Sequence, residues 1–172
     1  MSKRILKKYL AELPKEALEE QVLDLYERFS PVKTYYDFVF NPKEEKILHE
    51  AKAKIYNEYF PLKRRRPRAR RSVAQKYIRH FLTLGMQEAL LADLMWYNLE
   101  TAQKFSSSRN VPVAFYKSML NSFTEAVQYT VHQSLLPEFR ERMDAVYAEV
   151  FRQQWLLQED FERVWELNLY DS

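Results

Sequence analysis

A single glycine, Gly85, occurs in this chain of 172 residues. Ordinary soluble proteins contain about 7% glycine. Sandwiches and barrels of β-strands need glycine in their tight turns, and Rossmann-type folds need it in the loops that bind phosphate. One glycine can supply neither set, so the sequence excludes those fold classes together with the glycine-rich nucleotide-binding motifs. The composition therefore predicts a helical protein.

The remaining composition is typical of a globular protein. Apolar residues make up 47% of the chain and charged residues 30%, which separates it from disordered sequences. The chain has no cysteine, so disulfides, thiolate metal sites and cysteine nucleophiles are excluded. No stretch approaches the roughly 20 apolar residues of a membrane-spanning helix, and no apolar run follows the basic N-terminus. We therefore expect a cytoplasmic protein with no membrane partner.

Apolar residues recur at helical spacing along almost the whole chain, between residues that favour helix starts. These start signals are Ser2, Pro14, Pro31, Asn41–Pro42, Ser72, Pro112 and Pro137. The aromatic segment Tyr35–Phe40 favours a strand by composition, but no other segment could pair with it, so we predict a helix. The helix from Pro137 either continues past Trp165 or breaks near Gln153–Gln154.

These patterns predict an all-α fold in one domain, residues 1–172, with seven or eight helices arranged as a bundle or a short curved stack. Residues 86–105 are apolar on nearly every side, which is typical of a central helix. We expect five side chains from three helices to be buried in the core: Leu94, Trp96, Leu120, Phe123 and Val146.

The most biased segment is a basic loop at residues 61–71. Its seven cationic residues, with no acid among them, are Lys63, Arg64, Arg65, Arg66, Arg68, Arg70 and Arg71. Like-charge repulsion and Pro67 predict that this arginine-rich segment is an exposed loop. Residues 137–172 carry the opposite sign, with nine acidic and four basic side chains.

Three interpretations of the arginine-rich segment stay open. Its guanidinium groups match the geometry of phosphate, so its seven cations could bind nucleic acid or another polyanion. The segment could instead dock on an acidic protein surface, including the acidic C-terminal helix, residues 137–166, of the same or a second copy. It could also be a solvated loop with no ligand. Aromatic residues do not alternate with the arginines, which argues against a stacking platform for single strands.

Signals for catalysis are weak, and we predict no catalytic residue, no metal and no cofactor. Glu45 and His49 share a helix face, but no second histidine pair completes a metal site. The aromatic cluster of Tyr35, Tyr36 and Phe38 is interpreted as core packing, with a groove as the alternative. A shallow enzymatic site near Tyr35–Asp37 is the third functional hypothesis, after a binding protein and a protein–protein adaptor.

Four segments of the chain carry a further similarity, to other proteins. They are Ser2–Leu10, Tyr36–Lys46, Ala69–Lys76 and Phe115–Leu120. Together they resemble a bacterial family of small, all-helical proteins of unknown function. The resemblance extends over most of the chain. It implies no activity and no site residue, so the functional interpretations depend on the residues themselves.

Overall fold

The computed structural model describes residues 2–62 and 66–169, and every regular element in these two ranges is an α-helix. The nine helices found there are α1 (Lys3–Ala11), α2 (Lys15–Arg28), α3 (Ser30–Phe40), α4 (Glu44–Tyr59), α5 (Arg71–Leu84), α6 (Glu88–Ser106), α7 (Val113–His132), α8 (Leu136–Arg152) and α9 (Gln158–Leu169). The predicted all-α class is therefore confirmed. The predicted number of seven or eight helices is too low.

The additional helix arises because the last predicted helix ends at Arg152, which confirms the alternative of a break near Gln153–Gln154. Gln154 and Leu157 adopt left-handed backbone conformations, with φ of 53° and 69°, which end one helix and start the next. The indole of Trp155 between them is buried and donates hydrogen bonds to Ser106 Oγ at 3.1 Å and to Gln153 Oε1 at 3.0 Å. Burial of this tryptophan therefore accompanies the turn that separates α8 from α9.

The helices fall into two compact units, residues 1–43 with α1 to α3 and residues 44–172 with α4 to α9. Compactness does not decide whether each unit folds on its own, so the single domain stays a prediction.

The second unit is built around α6. This helix packs against α4, α5, α7 and α8, and eleven of its residues are buried. The predicted central position of residues 86–105 is therefore confirmed. An ion-pair network ties three of these helices together, because Asp93 on α6 binds Lys52 on α4 at 2.5 Å and Arg142 on α8 at 2.7 Å.

Four of the five predicted core residues are fully enclosed: Leu94, Trp96, Phe123 and Val146. Leu120 is half-buried, so it is less enclosed than the other four. The buried face of α7 follows Met119, Phe123 and Ala126, and Leu120 lies at the edge of that face. Sequence periodicity identifies the apolar face of a helix but not its buried limit.

The first unit has a different character, because no described residue of α1, α2 or α3 is buried. Helices α2 and α3 pack against each other. Tyr26 on α2 donates a hydrogen bond to Asp37 on α3 at 2.8 Å, and its ring meets Tyr36 edge-on at 6.5 Å. The segment Tyr35–Phe40 is helical, as predicted.

Helix starts agree with the sequence signals at some positions only. Ser2 is the N-cap of α1, as predicted, and its Oγ accepts a hydrogen bond from Ile5 N at 3.4 Å. Ser72 is not the cap of α5, because Arg70 occupies that position and Ser72 lies inside the helix. Gly85 does end α5, with a left-handed φ of 73°. None of the helices in the described ranges has both the length and the hydrophobicity to span a membrane.

Candidate polyanion-binding site

The arginine-rich segment is only partly described, since Lys63, Arg64 and Arg65 lie outside the described residues. Residues 66–70 form no helix, in agreement with the predicted loop. They are nevertheless fixed to the end of α4, where the N–H groups of Arg68 and Ala69 both donate to the carbonyl oxygen of Glu58, at 3.1 and 3.2 Å. The described part of the segment therefore has a defined path along the protein surface.

Arg70 reinforces this attachment through the side chain of Glu58. Its guanidinium donates from Nε to Oε1 at 2.7 Å and from Nη2 to Oε2 at 3.2 Å, a two-point contact. The hydrogen bond from Arg70 lowers the pKa of the Glu58 carboxyl below its ordinary value, and the same contact raises the pKa of Arg70. Glu58 therefore stays ionised and is neutralised by Arg70.

Arg71 is the first residue of α5, and its side chain also binds other residues of the protein. It donates from Nε to Ser122 Oγ at 3.0 Å and from Nη2 to Glu125 Oε1 at 2.5 Å, both on α7. Gln75 completes the group by donating to the other oxygen of Glu125 at 2.6 Å. Arg70 and Arg71 therefore connect the segment to α4 and α7.

Three cations of the described segment are exposed, and one of them, Arg70, is paired with Glu58. The other two are Arg66 and Arg68. Both line a groove along the C-terminal half of α4, which we name the α4 groove. Its lining residues are Lys54, Asn57, Glu58, Pro61, Leu62, Arg66, Arg68 and Arg70. Among them are four cations and one carboxylate, Glu58, which Arg70 already neutralises. The described lining of the α4 groove therefore has a net charge of +3, from four cations and one carboxylate.

A second groove, which we name the α7 groove, is also lined by the described part of the segment. Arg68, Arg70 and Arg71 line it together with Ser72, Asn110 and Ser118 and with the rings of Phe105 and Phe115. Arg68 and Arg70 line both grooves. The described part of the segment therefore supplies cations to two depressions.

Several cations outside the segment lie on the same unit. Lys104 is placed over the rings of Tyr56 and Phe60, 5.7 Å from each centroid, and Arg109 is placed 5.0 Å from the Phe105 centroid. Lys76 and Arg79 are exposed on α5, on the face that includes Ser72. The basic residues of α1 belong to the first unit.

Sequence reasoning did not find the groove-forming residues outside the segment. Lys54 and Glu58 lie four residues apart on α4, just before the segment. Their closeness in sequence to the segment was the only signal that they could lie beside it. The acidic partner of Arg71 is 54 residues away in sequence, so no local pattern could identify it. The observed ion pairs of Arg70 and Arg71 go to α4 and α7. Docking on the acidic C-terminal helix of a second copy stays a prediction.

The other sequence candidates are spread over the surface. Glu45 and His49 line a shallow depression on α4 with Lys46 and Lys52. Within the described ranges, no group of three or more histidine, aspartate or glutamate side chains is arranged to hold a metal ion. Tyr36 and Asp37 line a groove in the first unit, whereas Tyr35 and Phe38 do not line it. This location agrees with the groove alternative for part of the aromatic cluster.

Comparison with known proteins identifies the family but no activity. The model of a family of unknown function, DUF6155, matches residues 1–168. The chain belongs to this family. No curated protein and no solved structure matches it. The functional argument for this family member therefore depends on the geometry of the grooves beside its arginine-rich segment.

Proposed function

We propose that this protein is a non-enzymatic cytoplasmic binding protein whose arginine-rich segment binds the phosphates of nucleic acid or another polyanion. The observation that carries the proposal is the α4 groove. Lys54, Arg66 and Arg68 line one groove whose described carboxylate is already neutralised, so their fields add toward an anion. Phosphate contacts of this kind determine affinity without reading sequence.

The attachment of the segment supports the same proposal. Seven adjacent cations repel one another, and an unattached loop would keep them apart until a ligand arrived. The hydrogen bonds from Arg68, Ala69 and Arg70 to Glu58 instead hold residues 66–70 beside Lys54 before binding. A site that is already arranged loses less conformational entropy when it binds.

The test is the salt dependence of binding to duplex DNA and RNA of several sequences, with polyphosphate as a competitor. We compare the wild type with the double variant Arg66→Gln/Arg68→Gln. If both residues contact phosphate, the log–log salt slope decreases in magnitude by about 2, and by a similar amount for every sequence. The matched control is Lys46→Gln/Arg163→Gln, which removes two exposed cations outside both grooves and should leave the slope unchanged.

A second pair of variants tests the role of Arg70. Arg70→Gln leaves the Glu58 carboxylate uncompensated in the α4 groove and should weaken binding. Glu58→Gln/Arg70→Gln removes both charges, so the net charge of the groove returns to that of the wild type and binding should recover. Failure to recover would mean that Arg70 acts by positioning the segment and not through groove charge.

Two results would overturn the proposal. The wild type could show no salt-sensitive binding at low ionic strength, which would make the segment a solvated surface. Alternatively, Arg66→Gln/Arg68→Gln could dissociate an oligomer without changing nucleic-acid binding. That outcome would favour the adaptor or homo-oligomer hypothesis, in which the segment docks on the acidic helices α8 and α9 of a second copy.

A further inference from the structure

The first unit contains an apolar groove between α2 and α3, with a volume of about 730 Å³. Six large side chains supply its apolar lining: Leu18, Val22, Leu23, Tyr26, Tyr36 and Phe40. Leu23 is 62% exposed and Phe40 is 80% exposed. Isolated apolar side chains are common on protein surfaces, but a continuous apolar groove marks a contact surface.

Helix α1 carries an apolar stripe of its own. Ile5, Leu6 and Tyr9 recur at helical spacing and are all exposed. The Tyr9 hydroxyl accepts a hydrogen bond from Gln21 at 3.0 Å, which places α1 beside α2. Gln21 does not line the apolar groove, so this contact leaves the groove uncovered. Tyr9 makes the contact through its hydroxyl, and all three residues of the stripe stay exposed.

The charges of the two surfaces are complementary. Helix α1 has four basic residues and no acidic residue, namely Lys3, Arg4, Lys7 and Lys8. Helix α2, which forms one wall of the groove, has five acidic residues and two basic ones. Two of its acids, Glu19 and Asp24, pair with Lys15 and Arg28 on the same helix. The groove itself is lined by two carboxylates, Glu19 and Asp37, and one cation, Lys15, and the other acids of α2 lie outside its lining. A basic amphipathic helix is therefore the occupant that best fits this apolar groove and its acidic wall helix.

We propose that the protein forms a dimer in which α1 of each copy lies in the apolar groove of the other. The arrangement is reciprocal, so each dimer contains the same contact twice, as a two-fold axis requires. Ile5, Leu6 and Tyr9 would meet the groove lining, and the basic face of α1 would meet the acids of α2. This dimer does not involve the α4 groove, so it is independent of the proposed function.

The first test is the molar mass of the full-length protein, measured by light scattering over a range of concentrations. We expect twice the chain mass of 20.9 kDa for the wild type. Ile5→Glu and Leu23→Glu should each reduce the mass to that of a single chain, because a carboxylate would be buried in an apolar contact. Both residues are exposed in a single chain, so neither change should prevent folding. The control Leu82→Glu alters an exposed leucine of the second unit and should stay dimeric.

The second test identifies the two contacting surfaces. The chain has no cysteine, so introduced cysteines form the only possible disulfides. A mixture of Ile5→Cys chains and Leu23→Cys chains should give a crosslinked dimer on oxidation, and Ile5→Cys mixed with Leu82→Cys should not. Raising the salt concentration should weaken the dimer, and Arg66→Gln/Arg68→Gln should not affect it.

Three outcomes would overturn the proposal. A wild type that is monomeric at all concentrations would leave the groove to a different partner. A dimer that survives both glutamate variants would place the interface elsewhere. A disulfide that forms within a single Ile5→Cys/Leu23→Cys chain, without forming between chains, would mean that α1 covers the groove of its own copy.

Discussion

The larger unit, described at residues 44–62 and 66–169, and the smaller unit, residues 2–43, are both built from amphipathic helices. They differ in how completely the apolar faces of these helices are buried. The helices of the larger unit bury their apolar faces, and Leu94, Trp96 and Phe123 are each 0% exposed. The helices of the smaller unit enclose no side chain completely. Packing supplies most helix stability in proteins, so the helices of the smaller unit gain less stability from their apolar faces than the helices of the larger unit.

The two units also differ in whether their side-chain hydrogen bonds are buried or exposed to water. In the larger unit, Trp96 Nε1 donates to Thr130 Oγ1 at 2.9 Å, and Tyr59 donates to Asn98 at 3.2 Å, both away from water. No buried side-chain nitrogen or oxygen atom in the described ranges lacks a hydrogen-bond partner. In the smaller unit, the described side-chain hydrogen bonds are exposed, so water can replace them at little cost.

The largest expected difference between the regions concerns apolar packing. Leu94→Ala should lower the free energy of unfolding by about 2–5 kcal/mol, because it leaves a cavity beside the central helix. Leu25→Ala makes the same chemical change in α2, outside the apolar groove, and should change stability by less than about 0.5 kcal/mol. Urea denaturation of both variants measures the contrast. Similar losses for the two leucines would mean that the smaller unit has an enclosed core.

A smaller difference in stability is expected when a buried threonine hydroxyl is removed than when a buried leucine is truncated. Thr130 accepts from Trp96 and also donates to the carbonyl oxygen of Ala126 at 2.8 Å. Thr130→Val keeps the shape but leaves the indole N–H without its acceptor, at a cost of about 1–3 kcal/mol. Thr34 makes the same backbone contact on exposed α3, to Ser30 at 2.9 Å, so Thr34→Val should cost less than about 0.5 kcal/mol. An equal cost at both positions would contradict the difference in solvation.

The sequence predicts the fold well because its signals are local. One glycine excludes the turn-rich classes, and helical spacing locates most helices. The break after Arg152 is only one of two alternatives at the level of the sequence, because the chain turns to bury Trp155 against a residue almost 50 positions away. The half-buried state of Leu120 is a similar case, because it depends on how α7 packs against its neighbours.

The candidate site shows the same limit. The arginines of the segment are visible in the sequence, but their different roles are not. Arg70 and Arg71 pair with Glu58 and Glu125, whereas Arg66 and Arg68 line the α4 groove. The composition of residues 63–71 does not distinguish these four side chains. Which arginines form ion pairs depends on carboxylates contributed by two other helices.

The smallest expected effect lies at the edge of the larger unit, where Glu58 holds the arginine-rich segment. The hydrogen bond from Arg70 lowers the pKa of Glu58 in the folded protein. A lowered folded-state pKa stabilises the protein above the ordinary carboxyl value of 4.5, and this contribution is lost as the pH falls through the lowered value. The stability difference between the wild type and Glu58→Gln should therefore be constant near neutral pH and disappear in acid. The control is Glu27→Gln, which removes an exposed carboxylate of α2 in the smaller unit. Urea denaturation at several pH values measures both differences, and a Glu58→Gln difference that persists at the lowest pH would show that the Arg70 contact is not its source.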